Sequence, residues 1–166
     1  MPTVLNSDDR DLLIAEYERG PSVLRAAWET VPEAVAKWRP APETWSAHEI
    51  VVHCADSETY AATRIRLLVA EKEPLVLGYD QSAWATVFNY HALSTERALA
   101  SIDAVRAGTV PILRNLSEAS WAKMGRHTES GPYGTLDWLT TYAAHVTNHA
   151  RQIERNLEAF RSRADR

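Results

Sequence analysis

The stretch from Thr135 to Phe160 constrains the fold of this chain more than any other. Its apolar residues recur at steps of three and four positions, the period of an amphipathic α-helix; they are Leu139, Tyr142, Val146, Ile153, Leu157 and Phe160. His145 and His149 are four positions apart, so their side chains leave one face of that helix, one turn apart. Both rings flank the apolar stripe, where an unsatisfied imidazole is costly. Hydrogen bonds or a metal ion must therefore satisfy them.

Composition excludes several classes of protein. The chain has 166 residues, 45% of them hydrophobic and 24% charged, which fits one domain covering residues 1–166 with a core at about residues 8–160. A net charge of −4 does not suit a nucleic-acid binder. No apolar run could span a bilayer, and the N-terminus lacks the pattern of a signal peptide. A single cysteine, Cys54, cannot form an internal disulfide, and we expect a cytoplasmic protein.

Two further helices are predicted in the first half of the chain. The first covers Asp8 to Val31, and Gly20-Pro21 should kink it or divide it in two. The second begins at Ser46, which forms an S-x-x-E capping box with Glu49, and continues to about residue 72.

The second half is predicted to contain a third helix and a long connection. The third helix begins near Ala83 and is broken or bent at Gly108 and Pro111. Residues 117–134 form a loop, Thr135 caps the last helix, and the charged tail after Phe160 should fray. No segment of any length has the period of a strand. Four main helices with apolar stripes predict an all-α four-helix bundle.

Three histidines form the leading candidate site. His53 falls on the buried side of the second helix, and it could meet the pair His145 and His149 across the bundle. Three imidazoles would leave coordination positions open, as in catalytic metal sites. The alternative is that each ring is a hydrogen-bonded core residue, and pattern alone leaves the two readings even.

Other residues are weaker candidates. His91 could be a rival ligand on the inner face of the third helix, although a hydrogen-bonded core ring is the stronger reading. His127 should fix its loop, and His48 should be exposed, because it is five positions from His53 and cannot share a metal with it. Asp56 and Gln152 each follow a histidine by three positions and could orient its ring. Four large aromatic side chains could form pocket walls, although we expect core packing for each; they are Trp45, Trp84, Trp138 and Tyr142. We expect Cys54 to be a small core residue.

Two motifs resemble a known family. The run TWSAHEIVVHCADSE at residues 44–58 and the run AAHVTNHARQI at residues 143–153 are similar to the signatures of the DinB-like (DinB/YfiT) superfamily. The resemblance covers most of the chain. It implies a four-helix bundle of up-down-down-up arrangement and a divalent metal ion held by His53, His145 and His149.

The resemblance also implies a range of functions. Similar proteins include bacillithiol- and mycothiol-dependent S-transferases, a thiol-dependent isomerase and proteins labelled metal hydrolases. We therefore expect a metal-dependent enzyme that transfers a low-molecular-weight thiol to an electrophilic small molecule. A metal-dependent hydrolase and a non-catalytic metal-binding module of the stress response are the alternatives. The ion would be Zn, Ni, Fe or Mn, and a homodimer is consistent with the resemblance.

Overall fold

The computed structural model describes residues 5–163, most of which are helical. The elements in chain order are α1 (Ser7–Glu29), α2 (Ala47–Ala70), β1 (Leu75–Val76), α3 (Gln81–Val87), α4 (Thr95–Arg114), α5 (Glu118–Trp121), β2 (Met124–His127), β3 (Gly131–Gly134) and α6 (Thr135–Ser162). Short 3-10 turns lie at Glu33–Val35 and Tyr90–Ala92.

The four long helices, α1, α2, α4 and α6, form the bundle. Each helix contributes to two core clusters; one contains Leu24, Ile50, Leu99 and Ile153, and the other contains Ile14, Ile65, Leu113 and Trp138. The chain therefore goes from the second cluster to the first along α1 and α6, and in the opposite direction along α2 and α4. This is the up-down-down-up four-helix bundle that the resemblance implies, and that prediction is confirmed.

Side-chain caps fix the starts of α1 and α2. The Asn6 side chain accepts a hydrogen bond from the backbone of Asp9 at 2.9 Å, and the Asp9 carboxylate accepts one from the backbone of Asn6. Ser46 and Glu49 form the predicted capping box on α2. The predicted division of this helix at Gly20-Pro21 is wrong, because α1 passes through both residues without a break, and the alternative, a kink there, stays a prediction.

The predicted third helix is divided. Instead of one helix from Ala83, α3 ends at Val87 and α4 begins at Thr95. Asn89 has a φ of 46°, a left-handed conformation that no α-helix continues through. The predicted break at Gly108 and Pro111 is also wrong, since α4 extends through both to Arg114, and the alternative, a bend there, stays a prediction.

The connection before α6, which was predicted to be a loop, contains two short strands. β2 pairs antiparallel with β3, and β1 pairs parallel with β2, which gives a sheet of three short strands. Gly131, at the turn, has a φ of 81°. Gly134 rather than Thr135 is the N-cap of α6, and its backbone N–H donates to the Asp137 carboxylate at 2.7 Å. Strands of two to four residues are too short to show an alternating pattern.

The tail that was predicted to fray after Phe160 lies partly within α6. The last helix extends to Ser162, and residues 164–166 of the tail predicted to fray lie outside the described residues. Within residues 5–163, no helix combines the length and the apolar character that crossing a membrane requires.

Candidate metal centre

His53, His145 and His149 meet near the middle of the bundle. One ring nitrogen from each lies within 4.8 Å of the others, and no other His, Cys, Asp or Glu of the described chain joins this group. The ring centroids are 5.7 Å apart for His53 and His145, 4.9 Å for His53 and His149, and 4.7 Å for His145 and His149. The spacing of four residues on α6 therefore brings two rings together, and α2 supplies the third.

The most deeply buried ring, His53, lacks a hydrogen-bond partner at Nδ1. Only 1% of the residue is exposed, and within residues 5–163 nothing accepts from or donates to this buried nitrogen. Burial, with smaller contributions from the other two rings, lowers the pKa of His53 to about 2, and burial together with His145 lowers that of His149 to about 4. Both rings are neutral at pH 7, so each presents a nitrogen lone pair, as a metal ligand must.

His145 is positioned by Glu58, a residue that the sequence analysis overlooked. The Glu58 carboxylate lies 3.2 Å from Nδ1 of His145, while Nε2 of the same ring lies 3.4 Å from the Ser57 hydroxyl. A carboxylate at Nδ1 holds the proton on that nitrogen, so Nε2 carries the lone pair that could bind a metal ion. The ring is therefore held in the tautomer that a metal ligand needs.

Glu58 is itself held by Arg106 in a buried ion pair. The guanidinium donates to both carboxylate oxygens at 2.9 and 2.8 Å, and the two side chains are 0% and 1% exposed. Burial tends to raise the pKa of Glu58, but the charge of Arg106 and the bond to His145 outweigh it and leave that pKa below its ordinary value. The carboxylate is thus ionised and fully engaged, and it is not free to act as a base.

The unbroken course of α1 through Gly20-Pro21 serves the same ion pair. Proline has no N–H, so the carbonyl of Tyr17, four residues earlier, loses its helical donor. Arg106 donates to that carbonyl instead. A Cβ at Gly20 would overlap the Arg106 guanidinium, so only glycine leaves room for it. Pro21 thus leaves the carbonyl of Tyr17 free to accept a hydrogen bond from Arg106, and Gly20 leaves room for the guanidinium.

His149 and the site wall agree more closely with the sequence predictions. Nδ1 of His149 lies 2.9 Å from the side-chain oxygen of Gln152, which accepts a hydrogen bond from it. The lone pair of Nε2 is then available to a metal ion. The Trp45 ring lies 4.5 Å from the His53 ring and 6.5 Å from the His149 ring. Tyr142 lies 5.6 Å from His145.

Asp56 and His91 do not contact the three rings. Asp56 accepts a hydrogen bond from the Tyr90 hydroxyl at 2.6 Å, so Glu58, and not Asp56, orients an imidazole. His91 bonds the Ser46 hydroxyl at 2.8 Å, and its Nε2 lies 3.4 Å from the Glu49 carboxylate at the start of α2. Its place is fixed by the left-handed turn before α4, which the prediction of a continuous helix missed.

The other candidates fall in structural positions. His48 is buried and its Nε2 donates to the carbonyl of Leu93 at 2.9 Å, so the prediction that it is exposed is wrong. His127 accepts from the backbone N–H of Glu129 and Ser130 and holds the hairpin turn, and Cys54 is fully buried.

Two tryptophans occupy different environments. Trp138 is fully buried and donates from its indole N–H to the carbonyl of Ala61 at 2.9 Å, so it is part of the core. Trp84 packs against the first core cluster with its ring 4.5 Å from that of Tyr79.

The chemistry of this donor set fits a divalent ion. Three imidazoles converge, two of them have an acceptor at Nδ1, and the third has a buried nitrogen without a partner among residues 5–163. Leaving a buried polar group unsatisfied costs roughly 1–3 kcal/mol. A bound ion would give the converging nitrogens a partner. Imidazole suits several transition metals, so the ligands alone do not choose between them.

Comparisons with known proteins show which family and which relatives this chain is similar to. The sequence model of the DinB superfamily matches residues 16–153. A protein of Oceanobacillus iheyensis is 30% identical over 109 residues, which are 66% of this chain and 63% of that protein. A protein of Bacillus licheniformis is 26% identical over 153 residues, which are 90% of this chain and 87% of that protein. The names of both describe candidate metal-dependent hydrolases.

Two solved structures share the fold. YfiT from Bacillus subtilis, described as a candidate metal-dependent hydrolase with an unusual four-helix bundle topology, gives a TM-score of 0.89 at 20% identity and covers 96% of this chain and 92% of YfiT. The mycothiol-dependent maleylpyruvate isomerase gives a TM-score of 0.69 at 12% identity and covers 87% of this chain and 60% of that protein.

Proposed function

The chain belongs to the DinB superfamily, and we propose that it is a metal-dependent enzyme that transfers a low-molecular-weight thiol to an electrophilic small molecule. One observation carries the proposal: three imidazoles converge with no fourth protein ligand from the described residues. Three ligands leave coordination positions for other molecules, which is typical of catalytic rather than structural sites.

The roles of the residues follow from their contacts. His53, His145 and His149 would hold the ion, Glu58 and Gln152 keep the rings of α6 in the required tautomer, and Trp45 covers one side of the site. A divalent ion would supply Lewis acidity and lower the pKa of a thiol or water molecule bound beside it.

Thiol transfer is preferred over hydrolysis because the site lacks a free carboxylate. A hydrolase that activates water commonly uses a nearby general base. Glu58 is bound at both oxygens by Arg106, and Asp56 accepts from the Tyr90 hydroxyl. A thiol needs less assistance, because its proton is already acidic enough for a nearby cation to release it at neutral pH.

A thiol-consumption assay tests the proposal. Protein loaded with Zn²⁺, Ni²⁺, Fe²⁺ or Mn²⁺ is mixed with 1-chloro-2,4-dinitrobenzene and, in turn, glutathione, coenzyme A, bacillithiol or mycothiol. We expect thiol loss with at least one pair, abolished by chelation and by His149→Ala. Absence of metal-dependent loss with every pair would contradict thiol transfer.

The names of the relatives favour a second candidate, a metal-dependent hydrolase. Metal-dependent release of nitrophenol from simple nitrophenyl esters, together with no thiol consumption, would select it. If the loaded protein turns over neither set of substrates, the third alternative, a metal-binding module of the stress response, is favoured.

Three further expectations stay predictions. They are the homodimer, the cytoplasmic location and the identity of the ion. Light scattering of the purified protein tests the first, and elemental analysis of protein from cells grown without added metal tests the third.

A further inference from the structure

A buried arginine beside the three histidines has no carboxylate partner. Arg64 is 9% exposed, and in the part of the chain that the structure describes it forms no ion pair. Its guanidinium donates to the Tyr142 hydroxyl at 2.8 Å and to the carbonyl of Leu77, and it stacks over the Tyr60 ring at 4.6 Å. A buried charge without a counter-charge is costly. The arrangement is therefore short of one negative group.

Two hydrogen-bond donors in the same cluster lack acceptors. Nε of Arg64 and the hydroxyl of Tyr79 are both buried, and within residues 5–163 neither has a hydrogen-bond partner. The guanidinium carbon of Arg64 lies 5.8 Å from the centre of the Tyr79 ring. Native structures leave few such groups unsatisfied, and each calls for an explanation. Burial raises the pKa of Tyr79 to about 12, so the phenol keeps its proton and remains a donor.

The cluster adjoins the three-histidine centre. Tyr142, which accepts from Arg64, has its ring 5.6 Å from that of His145. Ser57 lies 3.4 Å from Nε2 of His145, and the Tyr142 and Tyr79 phenols are both close enough to Ser57 for it to affect their pKa values. Tyr142 and Ser57 therefore connect the Arg64 cluster to the three-histidine centre.

We propose that Arg64 and Tyr79 bind a carboxylate of the small molecule that reacts at the three-histidine centre. This inference rests on the proposed function and narrows its substrate class. A guanidinium matches a carboxylate geometrically, with two parallel N–H donors, and a single positive charge neutralises one carboxylate. The carboxylate belongs either to the thiol or to the acceptor.

Binding of succinate to the metal-free protein tests the subsite without the metal centre. Isothermal titration calorimetry should show that the wild type binds succinate and does not bind succinamide, the uncharged analogue of succinate. Arg64→Gln should weaken succinate binding by roughly 10- to 100-fold, the range for hydrogen bonds to a charged group. Arg66→Gln is the matched control, because it removes an exposed positive charge from the same helix. Equal binding by the wild type and Arg64→Gln, or equal weakening by Arg66→Gln, would overturn the proposal.

A second variant keeps the test valid if Arg64→Gln does not fold. Tyr79→Phe retains the ring and removes a hydroxyl that forms no hydrogen bond within residues 5–163, although Ser57 is near it, so its melting temperature should stay close to that of the wild type. Succinate affinity should nevertheless fall several-fold. Unchanged affinity in Tyr79→Phe would exclude Tyr79 from the subsite.

Two further titrations, on zinc-loaded protein, identify the source of the carboxylate. Selective loss of 3-mercaptopropionate binding in Arg64→Gln, with 2-mercaptoethanol unaffected, assigns the carboxylate to the thiol. Selective loss of fumarate binding, with fumaramide unaffected, assigns it to the acceptor. Failure of the protein to bind zinc would count against the proposed function, whereas the succinate titration of the metal-free protein would still decide the subsite.

Discussion

Replacing Glu58 with glutamine tests the internal support of the site. The substitution preserves size but removes the negative charge between Arg106 and His145. Arg106 would keep its bonds to the carbonyls of Tyr17 and Tyr142 and one bond to the new amide oxygen. Its second bond, at 2.9 or 2.8 Å in the native pair, would face an NH₂ group instead.

The expected loss of stability is large because the pair is buried. The two side chains are 1% and 0% exposed, so solvent cannot replace the lost partner. Removing one member of a buried ion pair costs about 3–5 kcal/mol. For a chain of this length, each 1 kcal/mol lowers the melting temperature by about 2–4 °C. Glu58→Gln should therefore melt roughly 6–20 °C below the wild type.

Circular dichroism during thermal and urea unfolding measures the effect, with Asp103→Asn as the control. Asp103 pairs with Arg25 at 2.5 Å, but these side chains are 47% and 40% exposed, and exposed pairs contribute about 0–1 kcal/mol. If the two variants lose equal stability, or if Glu58→Gln unfolds within about 1 kcal/mol of the wild type, the buried pair does not support the site as described.

Three further predictions concern the site itself. In the metal-free protein, urea unfolding should show that the free energy of unfolding falls by roughly 2 kcal/mol for each of His53 and His149 between pH 7 and pH 5. The reason is that the folded pKa values of these residues, about 2 and about 4, are depressed, so the unfolded chain takes up protons first as the pH falls. A stability that does not change with pH would contradict this prediction. Zinc at 100 times its dissociation constant should raise the free energy of unfolding by about 2.7 kcal/mol, and a shift that persists in His53→Ala would place the ion elsewhere. Gln152→Ala should weaken zinc binding about 10-fold or more in a competition titration, whereas Asn148→Ala, which alters an exposed contact on the same helix, should not.

The helix faces that carry the three histidines could be predicted because they depend on local geometry, whereas the family resemblance implied that the three rings meet. His145 and His149 share a face by their spacing of four, and the capping box at Ser46 fixes where α2 begins and therefore which side His53 faces. Helix period and capping depend on neighbouring residues only, so one sequence is sufficient to read them.

The support of the site was missed because it depends on partners distant in the chain. Glu58 lies four residues after Cys54 and Arg106 four after Ile102, so both occupy the inner faces of their helices. A charged side chain is rarely buried, so neither Glu58 nor Arg106 is predicted to lie in the core when it is considered alone. Gly20-Pro21 was interpreted as a break for the same reason, since its role is visible only once Arg106 is in place.

The errors around His48 and His91 have a common origin. The left-handed Asn89 turns the chain between α3 and α4, and asparagine is only weakly predictive of that conformation. The turn brings His91 and the carbonyl of Leu93 against the start of α2, where Leu93 accepts from His48. A continuous helix would have placed His91 toward the bundle interior, which is why it was a candidate ligand.

Metal stoichiometry tests the central claim most directly. Wild-type protein and the triple variant His53→Ala, His145→Ala, His149→Ala would each be loaded with zinc, desalted and measured by elemental analysis, with His91→Ala as the control. We expect about one ion per chain in the wild type and the control, as for a site of three imidazoles, and essentially none in the triple variant. A wild type that retains no ion, or a folded triple variant that retains as much as the wild type, would contradict the claim.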